Sequence, residues 1–371
     1  MIERKLSHLL PEYEENRKAL LIKGARQVGK TTLVQAYVAD KESVLWIDGD
    51  DPMIINTFDG ISRDNLLRII RGYTYVIIDE AQRIPNVGLI SKMILDSKEE
   101  VQLILSGSST LDLNTRLNEP LTGRKWTFEL FPLSWAEIEN DIGYMEASHR
   151  LDEFLIYGCY PEIFLGGKKE KRLQELTTSY LYKDILELAD VRKPEVFNKL
   201  LQALAYQVGN EVSYNELGNM LNLDTATVER YIGLLEESYV VYRLKPLATN
   251  PRKEISTSRK IYFYDNGIRN AIIRNFNTLN NRNDIGALWE NYLMSEFRKK
   301  EAVSETSSQF FFWRSKGQSE VDLVVKNNDR FRAYEFKYNK NRKARIAPSF
   351  MDRYSPEQVH IVNRENFTDF F

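Results

Sequence analysis

Cysteine and histidine are nearly missing from this chain of 371 residues: Cys159 is the only thiol, and the only imidazoles are His8, His149 and His360. A single cysteine excludes an intramolecular disulfide and a cysteine-built zinc site, and it suits a reducing cytoplasm. Histidines so far apart in sequence argue against a histidine metal centre. Long apolar runs are also missing. No stretch approaches the roughly 20 residues that cross a bilayer. The start, Met1-Ile2-Glu3-Arg4-Lys5-Leu6, lacks the apolar core of a secretory signal. A cytoplasmic protein with no membrane partner is expected. Charge of one sign is missing as well: 51 basic residues nearly balance 53 acidic ones. Bulk charge therefore announces no nucleic-acid partner, and only a local patch would supply one. What is present, 43% hydrophobic and 28% charged residues, is the composition of a globular protein. The length exceeds one compact core and points to two to four domains.

Near the start stands Gly24-Ala25-Arg26-Gln27-Val28-Gly29-Lys30-Thr31-Thr32. The spacing G-x-x-x-x-G-K-T is that of a phosphate-binding P-loop. Gly24 and Gly29 let the backbone turn and aim successive N–H groups at phosphate oxygens. Lys30 reaches the β- and γ-phosphates of a nucleoside triphosphate, and the Thr31 hydroxyl ligates Mg²⁺. The helix that follows adds its positive end. The context agrees: Ala19-Leu20-Leu21-Ile22 reads as a buried strand, and Thr32 to Val38 as a helix.

A second apolar strand, Tyr73 to Ile78, ends in Asp79-Glu80. At the carboxyl end of a strand, Asp79 would hold the Mg²⁺ shell and Glu80 would polarise the attacking water. A third strand, Val101 to Leu105, runs into Ser106-Gly107-Ser108-Ser109, and Ser106 is the candidate that senses the γ-phosphate or orients the water. An ordinary loop hydroxyl is an equal alternative for Ser106. Val44 to Asp48 reads as a further strand, so strand and helix alternate as in a parallel sheet covered on both faces. Arg124, or second Arg116, is the candidate finger that would reach the phosphoryl group of a neighbouring copy. A surface or ion-paired arginine explains either position equally well.

The segments GARQVGKTT, VIIDEAQRIP, LSGSST, LTGR and FPLSW, in this order, resemble a prokaryotic AAA+-type ATPase family. Its members carry a C-terminal domain long labelled as of unknown function. The Arg26-Gln27 pair and the Pro-Leu-Ser segment are features of this group rather than of P-loop enzymes at large. Ser106 departs from the Thr or Asn common at the sensor position. Tyr180 to Ile185 also resembles the family, in which this helix leads out of the lid.

Residues 151–208 show helical spacing, and Cys159 sits in a break, Tyr157-Gly158-Cys159-Tyr160-Pro161, as a packing residue. Ser213 to Leu221, a turn, and a helix from Thr225 through Leu235 form a helix-turn-helix signature. Val240–Leu244 and Lys260–Tyr264 would be wing strands. The second helix exposes Thr225, Thr227, Glu229 and Arg230 and is not strongly basic. The wing is more basic, with Arg243, Lys245, Arg252, Lys253, Arg259 and Lys260. Attraction to DNA phosphates follows from such a wing, sequence-specific reading does not, and a packing module is an equal reading.

Towards the end, Ile285 to Lys300 reads as an amphipathic helix carrying Glu290. The strands Phe310–Trp313, Glu320–Val325 and Phe331–Lys337 follow. Alternation of side chains lets Asp322, Glu335 and Lys337 converge on one side of a hairpin joined at Asn327-Asn328-Asp329. That is the D…ExK spacing of the PD-(D/E)xK nuclease core, with Glu290 as the helix-borne acid. Asp322 and Glu335 would hold Mg²⁺, and Lys337 would orient water for attack on a phosphodiester. The family resemblance implies the same nuclease-like shape.

The expected organisation is an α/β chain. It has a P-loop AAA+-type ATPase core with a parallel sheet at 1–140, a helical lid at 141–208, a winged helix at 209–265 and a restriction-endonuclease-like domain at 266–371. The expected cofactors are ATP and Mg²⁺. DNA is the expected partner, and a homo-oligomer follows if the arginine acts in trans. The leading function is an ATP-driven, DNA-associated enzyme with a metal-dependent nuclease-type domain, serving genome maintenance or defence. Alternatives are an ATP-dependent switch with a silent nuclease-like domain, and a chaperone-like ATPase acting on proteins.

Overall fold

Short apolar runs bounded by turns build the amino-terminal third of the chain. In the computed structural model, which describes residues 2–15, 18–108, 120–178, 194–247, 259–304, 306–315, 319–340 and 345–371, they become β1 (Ala19–Lys23), β2 (Val44–Asp48), β3 (Tyr75–Asp79), β4 (Gln102–Gly107) and β5 (Lys125–Glu129). All pair in parallel, in the order β2-β3-β4-β1-β5. Side chains of both faces are buried, as a sheet with helices on each side requires: Leu21, Val76, Ile78, Leu103 and Leu105 on one, Leu20, Ile22, Ile77 and Ile104 on the other. The first set packs on Ile90 and Ile94 of the helix Val87–Leu95, and on Phe58, Leu66 and Ile70. Because β1 is flanked by β4, and β4 by β3, the carboxyl ends of these strands open onto one crevice. In open α/β sheets that edge is where ligands sit.

The chain divides into two compact units, Met1–Phe131 and Pro132–Phe371. The second holds a sheet of β6 (Glu211–Val212), β7 (Val241–Pro246), β8 (Arg259–Phe263), β9 (Gln309–Arg314), β10 (Glu320–Asn327), β11 (Arg330–Phe336) and β12 (Gln358–Val362), in the order β12-β11-β10-β9-β7-β8-β6. The helix-turn-helix is built from local chemistry. Ser213 caps the helix Tyr214–Leu221, Asn222 ends it in the left-handed region (φ 52°), and Asp224 caps the helix Thr225–Glu237. The hairpin that follows, β7–β8, does not stand alone. β7 pairs in parallel with β9 through Lys245↔Phe311 and Pro246↔Phe312, so the wing strands and the carboxyl-terminal strands share one sheet. Alternation within each strand gives no sign of this continuity.

The helix Ile285–Ala302 differs from the amphipathic helix expected. Leu288, Trp289, every residue from Asn291 to Phe297, and Lys299 are buried, so the helix is enclosed on most of its circumference. Four of its enclosed polar residues find partners. Asn291 exchanges hydrogen bonds with the backbone of Phe263 (2.7 and 3.1 Å), Ser295 donates to Tyr264 O (2.6 Å), and Lys299 donates to Leu133 O (2.9 Å). Glu296 accepts from Trp135 N (2.7 Å). The Pro-Leu-Ser segment gains a physical meaning here: Ser134 and Glu137 form a capping box that starts the helix Trp135–Ile142. Cys159 is buried, and burial raises its thiol pKa, which leaves a packing residue rather than a nucleophile. Among the described residues no helix is long and apolar enough to cross a membrane.

Candidate functional site: a phosphate cradle and a carboxylate–lysine cluster

The cradle begins where β1 ends. A Cβ on Gly24 would stand 2.1 Å from Leu130 O, so no larger residue fits against the chain where it leaves β5. Gln27 (φ 60°) and Gly29 (φ 96°) take left-handed conformations that curl the loop before the helix Lys30–Tyr37 starts. Ala25 and Val28 are buried, Arg26 and Thr31 are half-buried, and Gln27 and Thr32 are exposed. Lys30 is 4% exposed and donates to Gly24 O (3.1 Å) and Ala25 O (2.8 Å). Burial pulls its ammonium down to about 8, with Glu80 and Asp79 opposing. A residue that sequence spacing gave no reason to choose joins them. Arg4, also buried, donates to Val28 O (2.7 Å) and Phe131 O (2.6 Å).

The strand order brings the acids alongside. Asp79 Oδ2 accepts from Thr31 Oγ1 at 2.8 Å, and Oδ1 accepts from the Ser106 hydroxyl and from Glu80 N at 3.1 Å. Ser106 is fully buried and committed to Asp79. Ser108, two residues on, is the hydroxyl that reaches Glu80, donating at 3.3 Å to the same Oε2 that accepts from Gln82 Nε2. Glu80 is left-handed (φ 45°), and a Cβ on Gly49 would lie 2.5 Å from its carbonyl oxygen, so Gly49 makes room for this turn. A hydroxyl beside a carboxylate suits a hard cation such as Mg²⁺.

Arg124 lies elsewhere. It precedes β5, whose first residue pairs with Ala19 at the amino end of β1, and it is ion-paired with Asp96. The length of β1, roughly 16 Å for its strand rise, separates that edge from the P-loop. Arg124 does not serve the phosphates of its own chain. Arg116 and the segment Tyr180–Ile185 fall outside the described residues.

In the second unit the register Leu323↔Tyr334 sets Asp322 and Glu335 side by side on β10 and β11. Asp322 Oδ2 accepts from Phe336 N (2.7 Å), and Lys337 Nζ donates to Glu335 Oε1 (2.6 Å). Glu335 Oε2 is buried with no hydrogen-bond partner. Glu290 arrives from the enclosed helix, where Tyr262 OH (2.6 Å) and Lys260 Nζ (3.1 Å) donate to it. All four expected residues therefore share one cluster, and three more belong to it: Lys260, Tyr262 and Glu320, the last ion-paired with Lys260. Burial raises Asp322 well above the usual carboxylate range, and Glu290 and Glu335 push the same way. Burial raises Glu335 too, with Lys337 opposing. For Lys260, burial lowers the pKa, but Glu290, Glu320 and Asp322 together outweigh it, and the net shift is upward. Among the described residues no three or more His, Cys, Asp or Glu side chains stand together as a metal-holding group.

The same geometry takes two cations, Lys260 and Arg243, out of the expected basic wing. Lys260 is enclosed in the carboxylate cluster, and Arg243 is tied to Glu236 through Nε (2.6 Å) and its own backbone N–H (2.7 Å). Lys245 is exposed, while Arg252 and Lys253 lie outside the described residues. Cations next to carboxylates in one chain pair with them before they meet a phosphate.

Comparison with known proteins bears on the fold of the first unit. Residues 16–139 match an AAA domain, residues 148–279 a domain of unknown function (DUF8612), and residues 285–369 another (DUF4143). The chain is similar to an uncharacterized protein of Mycobacterium tuberculosis, 27% identical over 325 residues, covering 86% of this chain and 70% of that one. It is also similar to an uncharacterized protein of Methanocaldococcus jannaschii, 25% identical over 333 residues, covering 83% of this chain and 72% of that one. Among solved structures, a Walker-type ATPase of Pyrococcus abyssi superposes with a TM-score of 0.51 at 16% identity, covering 74% of this chain and 96% of that chain. With the parallel sheet, the P-loop and the adjacent Asp79-Glu80 pair, these matches give the amino-terminal unit the fold of a P-loop ATPase of the AAA type.

Proposed function

We propose that the chain is a Mg²⁺-dependent ATPase that works as a switch, its second unit binding a partner according to the nucleotide held by the first. The observation that carries this reading is the convergence of Lys30, Thr31, Asp79 and Glu80 at the carboxyl edge of β1 and β3, the strands on either side of β4. The loop N–H groups and Lys30 would hold the β- and γ-phosphates, with Lys30 exchanging its present carbonyl partners for phosphate oxygens. Thr31 and Asp79 would hold Mg²⁺, which when bound neutralises phosphate charge. Glu80 would accept the proton of the attacking water, and Gln82 and Ser108 orient its carboxylate. Arg124, released from Asp96, would act only across a contact between copies.

The test is Glu80→Gln. ATP binding should persist while phosphate release falls by a factor of about 100 or more. Wild-type turnover in that variant would move the base elsewhere.

A second reading adds metal-dependent cleavage of DNA by the second unit, in genome maintenance or defence. Asp322 and Glu335 side by side, with a buried unpartnered oxygen on Glu335 and Lys337 adjacent, favour it. These two carboxylates would hold Mg²⁺ as a pair, with the remaining positions left to water and substrate. Incubation with Mn²⁺ and single- or double-stranded DNA decides: cleavage that disappears in Lys337→Ala supports the nuclease, and no cleavage leaves the switch.

A further inference from the structure

The P-loop of this chain is held from beneath by an arginine that reaches back from the amino terminus. Arg4 is 8% exposed, and its guanidinium spans two backbone carbonyls, Val28 O at 2.7 Å and Phe131 O at 2.6 Å. Val28 O lies at the critical place in the loop. The peptide that contains it joins Val28 to Gly29, between the left-handed residues Gln27 and Gly29. A trans peptide is planar, and its C=O and N–H point in opposite directions. Fixing Val28 O towards Arg4 therefore fixes the Gly29 N–H away from Arg4, on the side where a P-loop meets its anion. Glycine would otherwise let this peptide flip at little cost. The second fork of the guanidinium takes Phe131 O, next to Leu130, whose carbonyl oxygen sits against Gly24. One side chain thus fastens the floor of the loop to the segment that leaves β5. Arginine suits this task because its donors form a rigid planar fork. The buried charge also adds to the positive potential felt by an incoming phosphate.

We propose that Arg4 is a positioning residue for nucleotide binding, setting the Val28–Gly29 peptide so that its N–H faces the phosphates. The proposal rests on the ATPase reading and extends it to a residue outside the P-loop motif. Arg4 directs its guanidinium to the Val28 and Phe131 carbonyls. It acts through the loop that both ATP and ADP use.

The experiment measures ATP and ADP dissociation constants by calorimetry on the full chain for wild type, Arg4→Met, Arg4→Lys and Lys30→Ala. It also measures kcat at saturating ATP and thermal unfolding. Arg4→Met should weaken ATP and ADP alike by at least about tenfold, with kcat at saturation within about threefold of wild type. Arg4→Lys should recover part of the affinity, since an ammonium reaches one carbonyl but not both in a fixed fork. Arg4→Met that unfolds like wild type and binds both nucleotides with wild-type affinity overturns the proposal. So does a fall in kcat with affinity unchanged. If Arg4→Met does not fold, Arg4→Lys decides: several-fold weaker binding of both nucleotides supports the role, and wild-type affinity overturns it. Wild type that binds neither nucleotide, or Lys30→Ala that binds them normally, sinks the ATPase reading itself.

Discussion

Lys30 in the first unit and Lys260 in the second are buried to almost the same degree, 4% and 3% exposed, yet their surroundings are opposite. Lys30 donates to the carbonyls of Gly24 and Ala25, neutral groups that solvate an ammonium without cancelling it. Burial therefore wins and its pKa falls to about 8, with Asp79 and Glu80 only moderating the fall. Lys260 donates to Glu290 and is ion-paired with Glu320, and carboxylates near it reverse the burial effect, so its pKa rises. A buried cation among dipoles is an electrostatic site waiting for an anion. A buried cation among carboxylates is already neutralised, and its work is to hold the fold. Burial alone does not separate the two; the formal charge of the bonded partners does.

The sharpest way to break this contrast is to remove each ammonium in turn. Lys260→Met leaves Glu290, Glu320 and Asp322 facing one another with only Lys337 as a nearby cation, and it should cost about 3–5 kcal/mol in unfolding free energy. Lys30→Met removes a charge that the fold buries at a cost, so denaturant melts should show no comparable loss, while ATP binding disappears. Equal destabilisation by both substitutions would end the comparison.

A smaller effect sharpens it through pH. The folded-state pKa of Lys30 is about 8, below the ordinary lysine value of 10.5. Between those values the unfolded chain binds more protons than the folded one, so this group makes stability rise with pH across the window. The charge it offers to phosphate is lost over the same range. Nucleotide affinity should fall above about pH 8, and binding at pH 8.5 should take up protons, seen by calorimetry in buffers of different ionisation enthalpy. Lys30→Met should show no such uptake. Lys260 has the opposite sign: its raised pKa contributes stability that is complete below 10.5 and is lost only as pH climbs above it.

The smallest effect belongs to Arg124. Its pair with Asp96 is about two-fifths exposed on each side, so Arg124→Ala should change stability by about 0–1 kcal/mol. ATP affinity of a single chain should stay unchanged. A fall in turnover that appears only as protein concentration rises would mark Arg124 as a residue acting between copies.

The cradle was legible because its chemistry is contiguous. Residues 24–32 carry the loop glycines, the lysine and the hydroxyl in one short span, and strand and helix patterns on either side gave their setting. The helix-turn-helix was legible for the same reason, since Ser213 and Asp224 cap helices in their own neighbourhoods. Arg4 was not legible. Its partners are backbone carbonyls 24 and 127 positions away, and carbonyls leave no mark on residue identity. Lys260 was read as a wing cation because neighbouring bases in sequence suggested a patch. Parallel pairing of β7 with β9 instead joins the wing strands to the carboxyl-terminal sheet, where Glu290 and Glu320 claim it. The helix Ile285–Ala302 was expected to be amphipathic, and on a half-open helix solvent would satisfy Asn291, Ser295, Glu296 and Lys299. Distant backbone groups satisfy them instead.

Residue order alone singled out the groups expected to grip a triphosphate, because turn geometry and helix initiation depend on near neighbours. It also placed Asp322, Glu335 and Lys337 on matching sides of a hairpin, because strand alternation is a local rule. Folding decided what each charge faces. Strand order set Asp79 beside Thr31 and carried Arg124 to the far edge of the sheet. Sheet continuity enclosed Lys260 among acids. Charges act through space, and their strength follows burial and the partners brought near by chain segments far apart in sequence.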